Sequence, residues 1–256
     1  MKFGLKLGKD DANDFDFKSI KYNLIKLAAS SGTEHIIPEF TPISNQGHIG
    51  SCVANSTIDA LEILMGLTGN VVQLSRLFVY WNARLYDGET NVDNGTYIKN
   101  AFASLSKDGV CLESTWDYDT SRVFSQPPIQ AYAEGSDNTI DSYYKIKSTG
   151  VQRLDEIESA IRANHPVVFG TGVTNSFCTY YNDNSVVWAA PKEKIVGLHA
   201  MIITGIREVN GSLQFLIRNS WGSNWGDNGH TWFESSYILD NNTNDIWVPT
   251  LMPQLI

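Results

Sequence analysis

An α+β fold in two lobes is what this sequence predicts, on three observations. Apolar residues recur at helical spacing through the first half, and β-branched and aromatic runs fill the second. Strands and helices do not alternate as βαβ units, which sets a doubly wound parallel sheet aside. At 256 residues the chain has the length to bury a sizeable core.

Residues 1–36 are polar and charged, with one stretch of helical character, FKSIKYNLIKLA. HIIPEFTPISNQG then reads as extended chain, because its two prolines oppose helix. From Ser51, a good N-cap, Ala54, Ile58, Leu61 and Met65 recur at helical spacing until Gly66. LSRLFVYWNARLY sets Leu74, Leu77, Phe78, Trp81 and Leu85 along one side, and TYIKNAFASLSKDG does so with Ile98, Ala101, Phe102 and Leu105, closing on Gly109. Residues 117–140, rich in Asp, Ser, Pro and Gly, read as a connection. One more helix, RLDEIESAIRANHP, precedes four strands: PVVFGTGV, AMIITGIREV, LQFLIRNS and GHTWFES. A helical lobe over about 46–136 and a β lobe over about 137–250 follow.

A net charge of −9 argues against nucleic acid or an anionic membrane as the main partner. No run reaches the roughly 18 apolar residues of a membrane span. The N-terminus carries lysines but neither an apolar core nor a small-residue cleavage site, so it is not a signal peptide. The expected location is cytoplasmic, or exported without such a signal. Cys52, Cys111 and Cys178 are an odd number without CxxC or zinc-ligand spacing, so neither a disulfide framework nor a metal site is expected.

Cys52 stands at a seam, in NQGHIGSCVANS, between a glycine-rich loop and a helix. A helix N-terminus favours the thiolate, the form in which cysteine is a nucleophile. Cys111 and Cys178 read as packing thiols. Of five histidines, His35 and His165 read as loop residues, His230 as a solvated edge residue, and His48 as too close to Cys52 for an easy approach. His199, in VGLHAMIITGI, begins an apolar strand; alone it would be a satisfied core residue. IRNSWGSNWGDNG alters that reading. Asn219 directly after a strand can orient an imidazole, and the Trp221 indole can keep water from the pair. Gln46, six residues before Cys52, can fold its amide back beside the thiol and, with the Cys52 N–H, face an oxyanion.

These pieces resemble the papain-like cysteine peptidases. NQGHIGSC, GLHAMIITG and RNSWGSNWGDNGH occur in the family's order, and the Cys52-to-His199 interval falls within the roughly 130–150 residues given for it. Weaker similarity extends the match over about residues 37–250. The resemblance implies a papain-like two-lobed fold for residues 37–256: a helical left lobe, a β-barrel-like right lobe, and the active-site cleft between them. It implies hydrolysis of peptide bonds through a thioester acyl-enzyme, with Cys52, His199, Asn219 and Gln46 as catalytic residues. Gly95, Thr96, Tyr97, Ile98, Leu198 and Trp221 are then expected to bind substrate, a protein or peptide, without metal or cofactor. Other cysteine-dependent acyl transfer and a non-catalytic binding module on the same fold are the alternatives.

Departures bear on the details. Ile49 replaces the first cysteine of the C-G-[SA]-C-[WY] signature and Val53 its aromatic, which suits a disulfide-free bacterial or viral branch. Thr96 follows Gly95 where many relatives have a second glycine, so its side chain is expected to narrow the cleft. Residues 1–36 are too few for the long prosegment of secreted relatives. They read first as a packing or docking arm and second as a short prosegment in the cleft.

Overall fold

Fifteen consecutive residues, Cys52 to Gly66, are buried in one helix that the rest of the chain is built around. In the computed structural model, which describes residues 2–9, 11–27, 32–181 and 183–251, the chain runs as follows. The elements are β1 (Leu5–Lys6), α1 (Lys18–Leu27), β2 (Glu34–Ile36), α2 (Cys52–Leu67), α3 (Arg76–Tyr86), β3 (Thr96–Tyr97), α4 (Ile98–Lys107), α5 (Ile129–Gly135), β4 (Ser142–Lys145) and α6 (Gly150–Arg162). There follow β5 (Val167–Thr174), α7 (Asn175–Cys178), β6 (Val187–Trp188), β7 (Ile195–Val209), β8 (Ser212–Arg218), β9 (His230–Glu234), α8 (Ser235–Ile238) and β10 (Asn244–Thr250). A single buried cluster runs through α2 from the helices to the sheet.

Helix α2 carries two acids, Asp59 and Glu62, inside this core, and burial demands partners for them. The Arg76 guanidinium, from the start of α3, donates to both carboxylates. Arg218, at the end of β8, reaches Asp59 and Glu39, so one ionic cluster joins α2, α3 and the sheet. Gly66 leaves room for the Phe40 ring, which a Cβ there would meet at 2.1 Å.

The sheet has the order β4-β10-β5-β7-β8-β9-β6, with β2 added against β7. This path does not close on itself among the described residues, so the barrel-like lobe is an open sheet. Strands β7 and β8 form a hairpin about Asn210 and Gly211, whose φ of 51° and 75° suit the twist of such a turn. The hairpin brings His199, in β7, near Asn219, the residue after β8.

Four expectations are corrected. Ser51 precedes α2 without capping it through its side chain; its hydroxyl pairs with Tyr118 instead. Leu85 is exposed, and Arg84 lies buried in its place, donating to the backbone carbonyls of Thr90, Val92 and Val123. The connection at 117–140 contains a 3-10 turn and α5, whose extended N-cap residue is Pro128. His230 is not simply solvated: its Nε2 pairs with Glu39. No helix among the described residues is long and apolar enough to cross a membrane.

Candidate active site

The loop before α2 is held so that little in it can turn. The Gln46 N–H donates to the Ser220 carbonyl (2.9 Å), and its Oε1 accepts from Ser220 Oγ (2.9 Å) and Trp221 Nε1 (3.2 Å). With its oxygen so engaged, the amide nitrogen must point the other way, where it donates to the carbonyls of Ile49 (3.1 Å) and Lys2 (3.0 Å). Below the loop, Tyr118 Oη donates to the Gln46 carbonyl and the Asn55 amide to the Ser51 carbonyl. Cys52 therefore opens α2 in a fixed frame. Behind it, Ser56 Oγ donates to the Ala200 carbonyl and ties α2 to β7.

On the sheet side, His199 Nε2 and Asn219 Oδ1 are 2.7 Å apart, and the same oxygen accepts the Ser220 N–H. Because that amide oxygen is an acceptor, the proton sits on Nε2 and Nδ1 is left as a base. The Trp221 ring lies 4.4 Å from the imidazole and nearly parallel to it, backed by Trp225 and Phe177. Gln46, Cys52, His199 and Asn219 are all buried.

What covers them is the N-terminus. The chain passes through the cleft as a strap, with β1 pairing parallel to β3: Leu5 beside Thr96 and Lys6 beside Tyr97. The Thr96 N–H donates to the Gly4 carbonyl (2.9 Å). Gly4, Gly50 and Gly95 meet so closely that a Cβ on Gly4 would lie 1.7 Å from the Gly50 oxygen, and one on Gly95 1.8 Å from the Gly4 oxygen. Opposite, Phe3 lies on Gly197 and Leu5 on Gly170. Lysines fasten both ends: Lys2 to Asp93 (2.6 Å), and Lys6 to Glu89 (2.8 Å) and Asp87 (3.4 Å).

Burial dominates the electrostatics of the pair. Burial pushes the Cys52 thiol up to about 11, against backbone hydrogen bonds that include those from Ala200 and Gly4. Burial likewise pulls His199 down to about 4, against its bond to Asn219. No hydrogen bond reaches His199 Nδ1 among the described residues. Burial therefore favours the uncharged thiol and the neutral imidazole, against the thiolate that the helix N-terminus alone had suggested.

Other expected positions resolve one by one. Gly95 touches the strap by its backbone. Thr96 does not narrow the cleft, because it is buried with its hydroxyl on Asp87. Tyr97 offers its ring to Lys6 at 5.5 Å. Ile98 opens α4 and packs in the core, beyond the last residue paired with the strap, which corrects its placement in the cleft. Leu198 is half-buried on β7 opposite Gly172. In the extension, residues 2–6 lie against Gln46, Gly50, Thr96 and Gly197, while Phe17 is buried at β4 and β2 joins the sheet. Ser220, Tyr118, Asp93 and Gly4 escaped the sequence reading. For Ser220 the signal was present, since it sits inside RNSWG beside Asn219.

A family profile described as papain family cysteine protease matches residues 33–245. An uncharacterized peptidase C1-like protein of Acanthamoeba polyphaga mimivirus is 32% identical, over 96% of this chain and 86% of its own. Mouse pro-cathepsin H is 27% identical over 74% of this chain, which spans only 55% of that protein. Among solved structures, xylellain, a cysteine protease from Xylella fastidiosa, superposes with a TM-score of 0.82 at 27% identity, covering 98% of this chain and 96% of its own.

Proposed function

The chain belongs to the papain family of cysteine proteases, and from that premise we propose that Cys52, His199, Asn219 and Gln46 carry its peptide hydrolysis while the strap holds it latent. The observation that supports this most is that all four side chains are buried, with His199 bonded to Asn219, Gln46 bonded to the neighbouring Ser220 and Trp221, and the Cys52 helix tied through Ser56 to Ala200, next to His199. With the strap gone, Cys52 Sγ attacks the scissile carbonyl carbon and its proton passes to His199 Nδ1. Gln46 Nε2–H and the Cys52 N–H take the oxyanion, an effect of about 3 kcal/mol per well-placed donor. The C–N bond breaks as His199 returns the proton to the leaving amine, giving a thioester. Water, deprotonated by His199, then attacks the thioester and releases the acid and the thiol. Asn219 holds the imidazole in the tautomer that these steps need.

The strap resists this chemistry through its direction. It runs parallel to β3 with Gly4 held against Gly50 and Gly95, and offers Cys52 a backbone N–H in place of a carbonyl carbon. We read residues 37–256 as the catalytic unit and residues 2–6 as the cover of its cleft. The substrate is protein or peptide; the charge of −9 disfavours polyanions in that place.

Intact mass after mixing the full chain with a peptidyl epoxide at pH 5–6 tests this reading. We expect slow single labelling of wild type, fast labelling of Gly4→Val, and none in Gly4→Val carrying Cys52→Ser or His199→Ala. Equal labelling of all three cysteines would sink the assignment of Cys52.

A further inference from the structure

We infer that the loop joining α3 to β3 selects a lysine or arginine in the substrate, two residues ahead of the one whose carbonyl is attacked and next to an apolar residue seated at Gly170. This rests on the peptidase reading above and names the substrate class for that site. The loop, residues 87–95, carries Asp87, Glu89 and Asp93 and no lysine or arginine.

These acids are built in place. Buried Arg84 donates to the carbonyls of Thr90 (3.3 Å) and Val92 (2.9 Å) and fixes the loop from beneath. Asp87 accepts from Thr96 Oγ1 and the Asn100 amide, and its side chain is only 6% exposed. Asp93 accepts from Tyr80 Oη and the Gly50 N–H.

The strap shows what such a site takes. With Gly4 packed against Gly50 and Gly95, Leu5 enters beside Gly170 and is almost fully buried, and Lys6 turns outward to Glu89 and Asp87 over the Tyr97 ring. Side chains on an extended chain alternate between faces, so any extended ligand with an apolar residue on the floor presents its neighbour to the acids. Reversing the chain exchanges N–H and C=O positions, so a substrate that puts a carbonyl at Sγ runs opposite to the strap. Its order toward the scissile bond is then basic, apolar, any residue. Removal of the strap leaves Asp87 and Glu89 as like-charged neighbours without Lys6, and a substrate cation restores the match.

The test compares kcat/KM for acetyl-X-Leu-Gln-aminomethylcoumarin with X as Lys, Gln or Glu, on the full chain carrying Gly4→Val. Lys is expected to exceed Glu by at least about ten-fold, with Gln between them. Adding Asp87→Asn and Glu89→Gln should bring the three within about two-fold, and Glu89→Lys should reverse the order. Turnover of the Gln peptide with no preference among the three overturns the inference and leaves the peptidase reading standing. Turnover of none counts against the peptidase reading instead. The charge match then has its own readout in the otherwise native chain, the iodoacetamide labelling rate of Cys52. There Lys6→Glu should label faster than Lys6→Gln, and Lys6→Glu with Glu89→Lys should return toward wild type. Equal rates for the two Lys6 variants would refute charge selection without any turnover.

Discussion

The two walls of the cleft hold the same strap by different physics. The wall from the helical lobe uses direction and charge: the Thr96 N–H, the Gly50–Gly95 backbone approach, and the carboxylates of Asp87, Glu89 and Asp93. The wall from the sheet uses shape, with Gly170 and Gly197 leaving hollows for Leu5 and Phe3 beside His199 and its indole cover. A contact of the first kind responds to pH and salt, whereas one of the second kind responds to volume. The proposed chemistry is divided likewise, with Cys52 on α2 as the nucleophile and His199 on β7 as its base.

The largest effect is expected where the walls join. Arg218→Met leaves Glu39 and Asp59 without their shared cation in the core and should cost about 3–5 kcal/mol in denaturant unfolding. A loss under about 1 kcal/mol would show that the walls are joined by packing alone. Gly4→Val comes next. Its Cβ meets the backbone of Gly50, which cannot give way, so Cys52 labelling in the full chain should rise on the order of 100-fold. An unchanged rate would mean that the strap is not the barrier.

Gly197→Ala tests the shape wall alone. The new Cβ meets a ring, at 2.1 Å from Phe3, and rings can swing aside, so a rise of about ten-fold is expected and salt should not alter it. Asp93→Asn tests the charge wall: exposed pairs are worth up to about 1 kcal/mol, so a rise of no more than about five-fold is expected, shrinking as salt is added.

The pH dependence is subtler and has a definite sign. Burial raises the Asp93 carboxyl, but hydrogen bonds from Lys2, Tyr80 and Gly50 outweigh it and hold the group below its usual range. A carboxylate depressed by the seated strap stabilises that seating above its free value and loses the contribution as pH falls through the depressed one. Labelling of wild type should therefore gain an acid limb across the carboxylate range that Asp93→Asn lacks. Parallel profiles for the two proteins would remove Asp93 from the latch.

Much of this site was legible because its signals are local. Cys52 at a loop-to-helix seam, His199 at the head of an apolar strand and Asn219 directly after another each carry their context in a few residues. What escaped depends on distant partners. Ser51 reads as a cap until Tyr118 arrives to claim its hydroxyl, and Leu85 fits the helical stripe until Arg84 finds three carbonyls beneath it. Strand β10 was missed because Asn and Asp open NDIWVPT and Pro249 interrupts it; the proline is tolerated where β10 pairs with β4 and no longer with β5. The strap itself had a local signature. Phe3, Leu5 and Leu7 alternate with Lys2, Gly4 and Lys6, the period of a strand, but nothing near it in sequence says which strand it joins.

The meeting of Gly4, Gly50 and Gly95 makes mutational drift lopsided. A side chain gained at Gly50 or Gly95 intrudes on whatever backbone lies between them, cover or substrate, and so silences the cleft along with its guard. A side chain gained at Gly4 unseats only the guard. Of three residues in mutual contact, Gly4 is then the one at which a single added side chain would open the proposed latch and leave the cleft intact.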